Sequence, residues 1–404
     1  MIAADLVESF DLNDLPNRFY DDPYVFYQAL RDLAPIKRLA DGSYFFTRYA
    51  DVLAVYNNPQ IFSSDKKIEF KPKYGDSLLY EHHTTSLVFN DPPLHTRVRR
   101  LITAALTPRA IGAMEPALIA LVDRLLDQMQ RKNEIELIED FAAAIPIEVI
   151  GNLLGVPRQE RGPLRGWSLA ILSALEPTIS QNVFENGNRA VREFLDYLAI
   201  LIADRRAHPG DPQRDVLTAL VQGESSGDRL TEAELLHNCI FILNAGHETT
   251  TNLIGNALVL LCEWPEQRRR LIAAPDSLKT AIEEFLRFES SNQLGNRITI
   301  EDTEIDNIKM SKGTRIHLCI GGANRDPAQF PDPDRLDLGR TPNRHLAFAW
   351  GIHACAGMSL ARLEGRVALS RFLQRFPNYE LIGIPQRNKR ARFRGFLAIQ
   401  IAKE

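Results

Sequence analysis

The segment from Thr231 to Trp264 constrains the fold of this 404-residue chain more than any other feature. It opens with Thr231-Glu-Ala-Glu234, a capping box that satisfies backbone N–H groups at a helix start, and Pro265 ends the predicted helix. Roughly 32 residues at about 1.5 Å each make a rod of about 48 Å, long enough to cross a whole domain. Its centre, CIFILNAGHETTTNLIGNALVLLC, is apolar on nearly every side. This helix is therefore expected in the core of a mainly helical protein.

Helical periodicity continues through much of the remaining sequence. Apolar residues recur at helical spacing over about 96–130 and 137–155, and further helices are predicted at 277–288 and directly after Cys355. Neither a linker rich in Gly, Ser or Pro nor an internal repeat divides the chain. We therefore predict a single domain over residues 1–404.

A smaller β component accompanies these helices. Residues 36–48 are typical of a hairpin with an Asp-Gly turn, and strands are predicted at 296–300 and 313–320. Residues 62–90 lack strong periodicity, so we predict a long loop there, a kind of segment that is often functional in a compact domain. The predicted fold class is mainly α with a minor antiparallel β component.

Composition excludes several classes of function. The formal net charge is −4, with 25% charged and 45% hydrophobic residues, as in ordinary soluble globular proteins. This slight acidity gives no reason to expect nucleic acid or an anionic membrane as a partner. No stretch approaches the roughly 20 apolar residues that span a bilayer, and the acidic start of the chain is unlike a signal peptide. The four cysteines include no C-x-x-C pair, so a disulfide framework is not expected. We expect a cytoplasmic monomer.

The sequence around Cys355 is suited to hold one sulfur atom rigidly. Cys355 lies in FAWGIHACAG, directly before an amphipathic stretch. Its sulfur is thus expected near the free N–H groups of a helix start, where the helix dipole favours a thiolate. Gly351 and Gly357 permit turns and close approaches that a Cβ would block. A lone thiolate in an apolar loop suits an axial haem ligand, and the alternative is an inert buried cysteine.

This run resembles the haem-binding loop of the cytochrome P450 family, Phe-x-x-Gly-x-x-x-Cys-x-Gly. Phe348, Gly351, Cys355 and Gly357 match it without a gap, and His353 matches the bacterial form of the loop. The resemblance implies haem b (iron protoporphyrin IX, heme b) as the cofactor and Cys355 as the iron ligand. It also implies the P450 fold over essentially the full length, with a long central helix over the haem.

A second motif, Ala245-Gly246-His247-Glu248-Thr249, lies in the middle of the long helix. A buried acid beside a hydroxyl is costly unless it is used, and Gly246 weakens the helix by up to about 1 kcal/mol while leaving room for a small ligand. Thr249 can donate a hydrogen bond to the Ala245 carbonyl, so a kinked helix with satisfied hydroxyls is the alternative. The run resembles the P450 oxygen-activation motif. This implies that Thr249 and Glu248 are catalytic proton relays and that Ala245 and Gly246 border the cofactor. No role is assigned to His247.

Several basic residues match P450 positions that hold the haem propionates. His95 and Arg99 are four residues apart and share a helix face. By resemblance, His95, Arg99, Arg297 and His353 bind the two propionates, which need cationic partners when partly buried. Each of them alone is typical of a solvated surface charge.

A fourth motif, Glu284-Phe-Leu-Arg287, would alone be an ordinary helical ion pair. It resembles the P450 Glu-x-x-Arg pair, which meets a later arginine and stabilises the segment before the haem loop. We predict Arg335, in Pro333-Asp-Arg335-Leu336, as that arginine.

The resemblance implies a haem-thiolate monooxygenase that inserts one oxygen atom from O2 into a small hydrophobic or aromatic substrate, by hydroxylation or O-dealkylation. Electrons are expected from a ferredoxin and a ferredoxin reductase, since neither end of the chain shows a flavin or iron–sulfur extension. The predicted docking face is a basic patch on the Cys355 side, formed by Arg100, Arg109, Arg362 and Arg366.

Two rival functions stay open. A peroxide-driven haem-thiolate peroxygenase would need no redox partner, but such enzymes generally replace the acid–alcohol pair, which is intact here as Glu248-Thr249. A non-catalytic haem sensor or carrier would have no use for that pair.

The sequence limits the substrate less sharply. By family analogy the pocket is built from residues 62–90, the segment near 165–185, the long helix around Leu243 to Thr249, the strand at 292–296 and the tip near Phe396. The first of these is rich in basic and polar residues, including Lys66, Lys67, Lys71 and Lys73. We favour a small aromatic acid whose carboxylate is held by a Lys, Ser or His, with solvated lysines as the alternative.

Overall fold

Helices form most of the protein, which the computed structural model describes over residues 3–212, 216–222 and 230–403. The mainly helical fold class is confirmed. The helices are α1 (Ala3–Glu8), α2 (Asn17–Asp21), α3 (Tyr24–Leu33), α4 (Tyr49–Asn57), α5 (Lys67–Tyr74), α6 (Leu78–Thr85), α7 (Leu94–Ala105), α8 (Pro108–Gln130), α9 (Ala144–Leu153), α10 (Leu164–Ser173), α11 (Gln181–Ala207), α12 (Val216–Gln222), α13 (Glu232–Glu263), α14 (Pro265–Ala273), α15 (Leu278–Phe288), α16 (Ile320–Ala323) and α17 (Met358–Arg375).

The strands are short and form small sheets. They are β1 (Ile36–Arg38), β2 (Tyr44–Phe46), β3 (Phe62–Ser63), β4 (Ile135–Glu136), β5 (Leu294–Thr299), β6 (Thr303–Ile305), β7 (Ile308–Met310), β8 (Arg315–Cys319), β9 (Glu380–Leu381), β10 (Gln386–Arg387), β11 (Phe396–Ala398) and β12 (Gln400–Ala402). The largest sheet has the order β1-β2-β8-β5-β3, beside β4-β12-β9, β10-β11 and β6-β7. The predicted hairpin is present as β1 and β2, with Ile36 opposite Phe46. One pair departs from the antiparallel expectation, because β2 and β8 run parallel.

Helix α13 has the predicted length and position. Its 32 residues follow Thr231, whose side chain accepts the Glu234 N–H while the Glu234 side chain accepts the Thr231 N–H. It ends at Glu263, and its C-cap residue Trp264 lies directly before Pro265. It packs against α6, α9, α10, α11 and α17, so that most of its side chains are buried, and the sites on it are held on a rigid central rod.

The prediction of a long loop at residues 62–90 is wrong, because α5 and α6 lie there. Pro72 inside α5 and the polar sequence of α6 hide the helical pattern. Helix α6 begins with a cap in which the Ser77 hydroxyl accepts the Tyr80 N–H at 3.3 Å. Contacts between the rings of Phe70, Tyr74, His83 and Phe89 then bury this region.

Other predicted helices differ in detail. The helical spacing over residues 96–130 belongs to two helices, because Thr107 caps a new helix by accepting the Ala110 N–H and Pro108 takes its first position. The stretch 137–155 begins with a π-helical turn at Ile138–Ala142 before α9. Helices α10 and α11 were not predicted from the sequence. The predictions of a helix at 277–288 and strands at 296–300 and 313–320 correspond to α15, β5 and β8.

No single helix within residues 3–212, 216–222 and 230–403 is long and apolar enough to cross a membrane. The bent pair formed by α7 and α8 meets the length and composition of a span, with a bend of 48° between them.

Candidate active site

The loop that carries Cys355 is held by backbone contacts. The Cys355 N–H donates to the Phe348 carbonyl at 2.9 Å, and α17 begins three residues later. Gly351 has a φ of +71°, and a Cβ there would lie 2.4 Å from the Tyr56 carbonyl oxygen. Glycine is therefore required at 351. Gly357 differs, because its φ is −92° and an added Cβ would meet no protein atom within 4 Å.

Burial and the neighbouring polar and charged groups have opposite effects on the pKa of the Cys355 thiol. Burial raises the pKa of the thiol, whereas the Gly357 N–H and the charges of Arg99 and Arg362 lower it. Burial prevails, so the helix start alone does not produce the expected thiolate. A bound metal ion deprotonates a cysteine ligand directly, and the three opposing groups would then stabilise the sulfur anion.

The structure brings the four predicted propionate-binding residues together beside this loop. The rings of His95 on α7 and His353 have centroids 4.1 Å apart. Arg99 donates to the Ala354 carbonyl at 2.7 Å. Arg297 on β5 is buried and lies over the Tyr56 ring. Burial, with the charge of Arg297 and the neighbouring His95 and Arg99, lowers the pKa of His353 to about 2.

These groups have unused hydrogen-bonding capacity. Both ring nitrogens of His95 and Nε2 of His353 are buried without a partner among the described residues. Within the described part of the chain, Arg297 donates only to the neighbouring Asn296 carbonyl, at 2.7 Å. Buried polar atoms normally have partners. Two guanidiniums, two imidazoles and one sulfur therefore fit a group that carries a metal ion and two carboxylates, as haem does.

One face of α13, formed by Ala245 and Thr249, is accessible although most of the helix is buried. Ala245 is exposed and Thr249 is partly exposed. The Thr249 hydroxyl donates to the Ala245 carbonyl at 2.8 Å, as predicted. Gly246 points elsewhere, since a Cβ there would lie 2.6 Å from Cδ1 of Ile150 on α9. The glycine therefore permits helix packing, rather than opening room for a ligand as expected.

Glu248 is buried and paired with an arginine that the sequence analysis missed. Its Oε1 accepts a hydrogen bond from Nη1 of Arg390, and its Oε2 has no partner within the described part of the chain. Burial raises the pKa of Glu248, and Arg390 opposes that rise. Arg390 also bonds Glu176, with 3.2 Å between Nε and Oε1. It lines a cavity of about 260 Å³ together with Glu176, Lys389 and Tyr20.

The comparisons with known proteins decide the family. A family model for cytochrome P450 matches residues 167–389. The biotin biosynthesis cytochrome P450 of Bacillus subtilis (strain 168) is 37% identical over 368 residues, which is 90% of this chain and 92% of that protein. The chain belongs to the cytochrome P450 family. It is a P450 monooxygenase, and its cofactor is haem b, which P450 proteins bind through a cysteine thiolate.

Other relatives of this P450 cover nearly the whole chain. The vitamin D(3) 25-hydroxylase of Pseudonocardia autotrophica is 35% identical, over 90% of this chain and 88% of that protein. The structure of P450BioI with an acyl carrier protein bearing hexadec-9Z-enoic acid matches with a TM-score of 0.90 and 35% identity, covering 96% of this chain and 100% of that one. The structure of CYP109E1 from Bacillus megaterium with testosterone matches with a TM-score of 0.88 and 30% identity, covering 96% and 100%.

The buried ion pair of α15 has a different third partner from the one predicted. Glu284 and Arg287 are both fully buried and joined by two hydrogen bonds of 2.8 Å. The third arginine is Arg340, whose Nε lies 3.2 Å from both Glu284 oxygens. Arg335 is exposed and offers only its carbonyl oxygen to these arginines. The prediction of Arg335 is therefore wrong.

The predicted basic patch is partly neutralised. Arg362 makes two hydrogen bonds of 2.7 Å to Glu283, and Arg366 lies 2.8 Å from Glu115. Arg100 and Arg109 are exposed. The positive charge that reaches solvent on this side is therefore smaller than the sequence indicated.

Most lysines of the 62–90 segment have carboxylate partners. Lys66 is fully buried and lies 2.6 Å from Glu69, so it is neither a solvated lysine nor a free clamp. Two exposed lysines pair with aspartates, Lys67 with Asp65 and Lys71 with Asp76. Lys73 differs, because its Nζ donates to the Glu176 backbone carbonyl at 2.5 Å.

Proposed function

We propose that this P450 hydroxylates a small hydrophobic or aromatic molecule with O2, taking electrons from a ferredoxin and its reductase. The observation that carries the proposal is the acid–alcohol pair of α13, with Thr249 on the accessible face of the helix and Glu248 directly beside it. Structural relatives named for fatty acyl and steroid complexes support a hydrophobic substrate. Haem b, when bound, supplies the oxygen activation and the C–H oxidation.

We assign the binding of haem to the residues that match the family's loop and cradle. Cys355 supplies the axial sulfur, and Phe348, Gly351 and Gly357 shape its loop. His95, Arg99, Arg297 and His353 hold the propionates, which the unpartnered buried nitrogens of the two histidines support. Ala245 borders the reacting face. We also propose that residues 1–404 form one domain.

Glu248 and Thr249 would deliver protons to the reacting face. Arg390 holds the Glu248 carboxyl and lines the 260 Å³ cavity, so protons can enter by way of that cavity. Glu248 then passes them towards the Thr249 hydroxyl, which can both donate and accept a hydrogen bond. This function explains why a buried helix carries an acid and an alcohol side by side.

The proposed function is tested by measuring oxygen consumption and product with the purified holoenzyme, a surrogate ferredoxin, its reductase and NADPH. The expected result is oxygen consumption that depends on substrate and matches hydroxylated product. Equal turnover with hydrogen peroxide alone would instead favour a peroxygenase. Haem binding without any substrate-dependent oxygen consumption would favour a sensor or carrier.

A further inference from the structure

Two cationic side chains from distant parts of the chain converge on the turn after α10. Lys73, near the end of α5, donates from Nζ to the Glu176 carbonyl at 2.5 Å. Arg392, between β10 and β11, donates from Nε to the Leu175 carbonyl at 3.3 Å and from Nη1 to the Leu294 carbonyl at 2.9 Å. Since Leu175 and Glu176 are consecutive, the two cations lie close together.

Neither cation has a carboxylate partner within 4.0 Å among the described residues. The nearby carboxylates are already engaged, because Glu176 binds Arg390 and the backbone N–H groups of Ala391 and Arg392, and Glu69 binds Lys66. Both cations are only half-buried, and each has more N–H donors than its carbonyl bonds use. The carboxylates of Glu176 and Glu69 offset part of this positive charge, but neither forms an ion pair with Lys73 or Arg392 among the described residues. Two like charges held close together favour the binding of a further anion.

The positive charge of this pair helps to lower the pKa values of basic groups beside it. Burial, followed by the charge of Arg392, lowers the pKa of Lys73 to about 8 against the opposing charges of Glu176 and Glu69, which leaves it mostly protonated at neutral pH. Burial, with the charges of Lys73 and Arg392, lowers the pKa of His83 to about 3. The pair is therefore cationic, and the histidine beside it is neutral.

The cation pair adjoins the elements that form the candidate active site. Leu294 begins β5, the strand that carries Arg297. The Tyr56 hydroxyl lies against Gly295 of the same strand, and the Tyr56 carbonyl lies against Gly351 of the cysteine loop. On the other side, His82 of α6 lies 3.4 Å from Asn244, which precedes Ala245 on α13.

We propose that Lys73 and Arg392 form an anion subsite that binds the carboxylate of an organic-acid substrate. The planar guanidinium can hold a carboxylate through two parallel hydrogen bonds, and the ammonium adds a third donor. The apolar remainder of the substrate then extends towards the face of α13 that carries Ala245 and Thr249. This inference rests on the proposed monooxygenase function, for which it names the substrate class.

The test is an optical titration of the ferric holoenzyme with acids and their methyl esters. Two families of acid, substituted benzoates and medium-chain fatty acids, distinguish an aromatic from an aliphatic source of the carboxylate. The wild type should bind at least one acid about tenfold or more tightly than its ester. Lys73→Met and Arg392→Gln should each weaken that acid by about 10- to 100-fold and leave the ester unchanged.

A matched control is Lys71→Met, which removes a lysine from the same helix whose partner is Asp76. It should change neither affinity, and Arg392→Lys should recover part of the acid affinity. Equal binding of acid and ester by the wild type overturns the subsite, as does an equal loss of both in the variants. Loss of haem from the Arg392 variant also overturns it, because Arg392 would then serve the propionates.

The carbon monoxide spectrum of the reduced wild type separates this inference from the proposed function. A thiolate-type spectrum and an acid preference without product formation would support the subsite and contradict the monooxygenase proposal. Product formation from esters as readily as from acids would do the reverse.

Discussion

At the scale of single residues, two threonines on α13 make the same backbone hydrogen bond in different surroundings. Thr249 donates to the Ala245 carbonyl at 2.8 Å on the accessible face of the helix. Thr251 donates to His247 at 2.9 Å and is buried. Their backbone roles are thus alike, and only Thr249 can meet a substrate or a proton donor there.

We therefore predict that Thr249→Ala lowers the ratio of product to consumed NADPH by about tenfold or more, because proton delivery is lost. Hydrogen peroxide should appear in place of product. Thr249→Ser should restore this ratio, which measures the coupling of NADPH consumption to product formation, since it keeps the hydroxyl. Thr251→Ala is the matched control, and it should lower stability by about 1 kcal/mol while leaving coupling unchanged. Equal uncoupling in both alanine variants would argue against a specific role for Thr249.

The Glu248–Arg390 pair leads to a prediction about pH. Burial raises the pKa of Glu248 and the Arg390 charge lowers it, so removal of the arginine must raise it further. The measurement is product formation coupled to NADPH consumption as a function of pH. In the Arg390→Met variant, the acid limb of this profile, where product formation declines as pH falls, should move to higher pH. Glu248→Gln should abolish that limb in both backgrounds. A profile that stays in place in Arg390→Met would show that this carboxyl does not limit turnover.

At the scale of elements, a glycine permits close packing in α13 but has no packing role in α8. A Cβ at Gly246 would lie 2.6 Å from Cδ1 of Ile150, whereas a Cβ at Gly112 would meet no atom within 4 Å. Alanine is favoured over glycine by up to about 1 kcal/mol in a helix, but overpacking costs about 1–3 kcal/mol.

We predict that Gly112→Ala raises the free energy of unfolding by up to about 1 kcal/mol and that Gly246→Ala fails to raise it. Adding Ile150→Val should recover the gain at 246, because it removes the Cδ1 atom that the new Cβ would meet. Denaturant unfolding of the single and double variants measures this coupling. If the effects of Gly246→Ala and Ile150→Val are simply additive, then Ile150 is not the contact between α9 and α13 that limits the space at position 246.

The segment after α16 gives a second prediction at this scale. Glu284 is fully buried and binds Arg287 and Arg340. Arg340→Ala should therefore lower the free energy of unfolding by about 1.5–3 kcal/mol and reduce haem content, because the hydrogen bonds to a buried charge are lost while Arg287 still pairs with Glu284. Arg335 is exposed and lies five residues earlier, so Arg335→Ala should change the free energy of unfolding by no more than about 0.5 kcal/mol. The reverse order of effects would restore Arg335 as the third partner.

These elements also show what the sequence can and cannot predict. Helix α13 was predictable because its signals are local, with a capping box at Thr231 and a stop at Pro265. The Arg390 partner of Glu248 was not, because 142 residues separate them and many arginines compete for the role. The dense cationic run KRARFR at 389–394 was the signal that could have directed attention there.

The choice between Arg335 and Arg340 failed for a related reason. Which arginine turns inward depends on a loop with a positive φ at Asp332, a conformation that composition does not reveal. The motif Glu284-x-x-Arg287 was found from spacing alone, but its third partner was set by the path of the backbone. Similarly, Pro72 weakened the periodicity of α5 enough to hide a helix whose aromatic side chains pack tightly.

At the scale of the whole molecule, charge bears on how a redox partner would approach. The net charge is −4, and Glu283 and Glu115 neutralise two of the four arginines expected on the Cys355 side. Long-range attraction for an acidic ferredoxin would then depend more strongly on Arg109, which is exposed. Such attraction acts mainly on the association rate and weakens as salt increases.

We predict that Arg109→Glu slows ferredoxin-supported reduction by about tenfold at low ionic strength and less at high salt, while reduction by dithionite is unchanged. Arg269→Glu, the same charge change at an exposed position of α14, is the matched control and should have little effect. Stopped-flow reduction across a salt series measures both. An equal loss in the two variants would indicate that net charge, rather than a docking face, governs the encounter.

Arg362→Glu should instead destabilise the fold, because it places a glutamate against Glu283 in place of an ion pair with two hydrogen bonds.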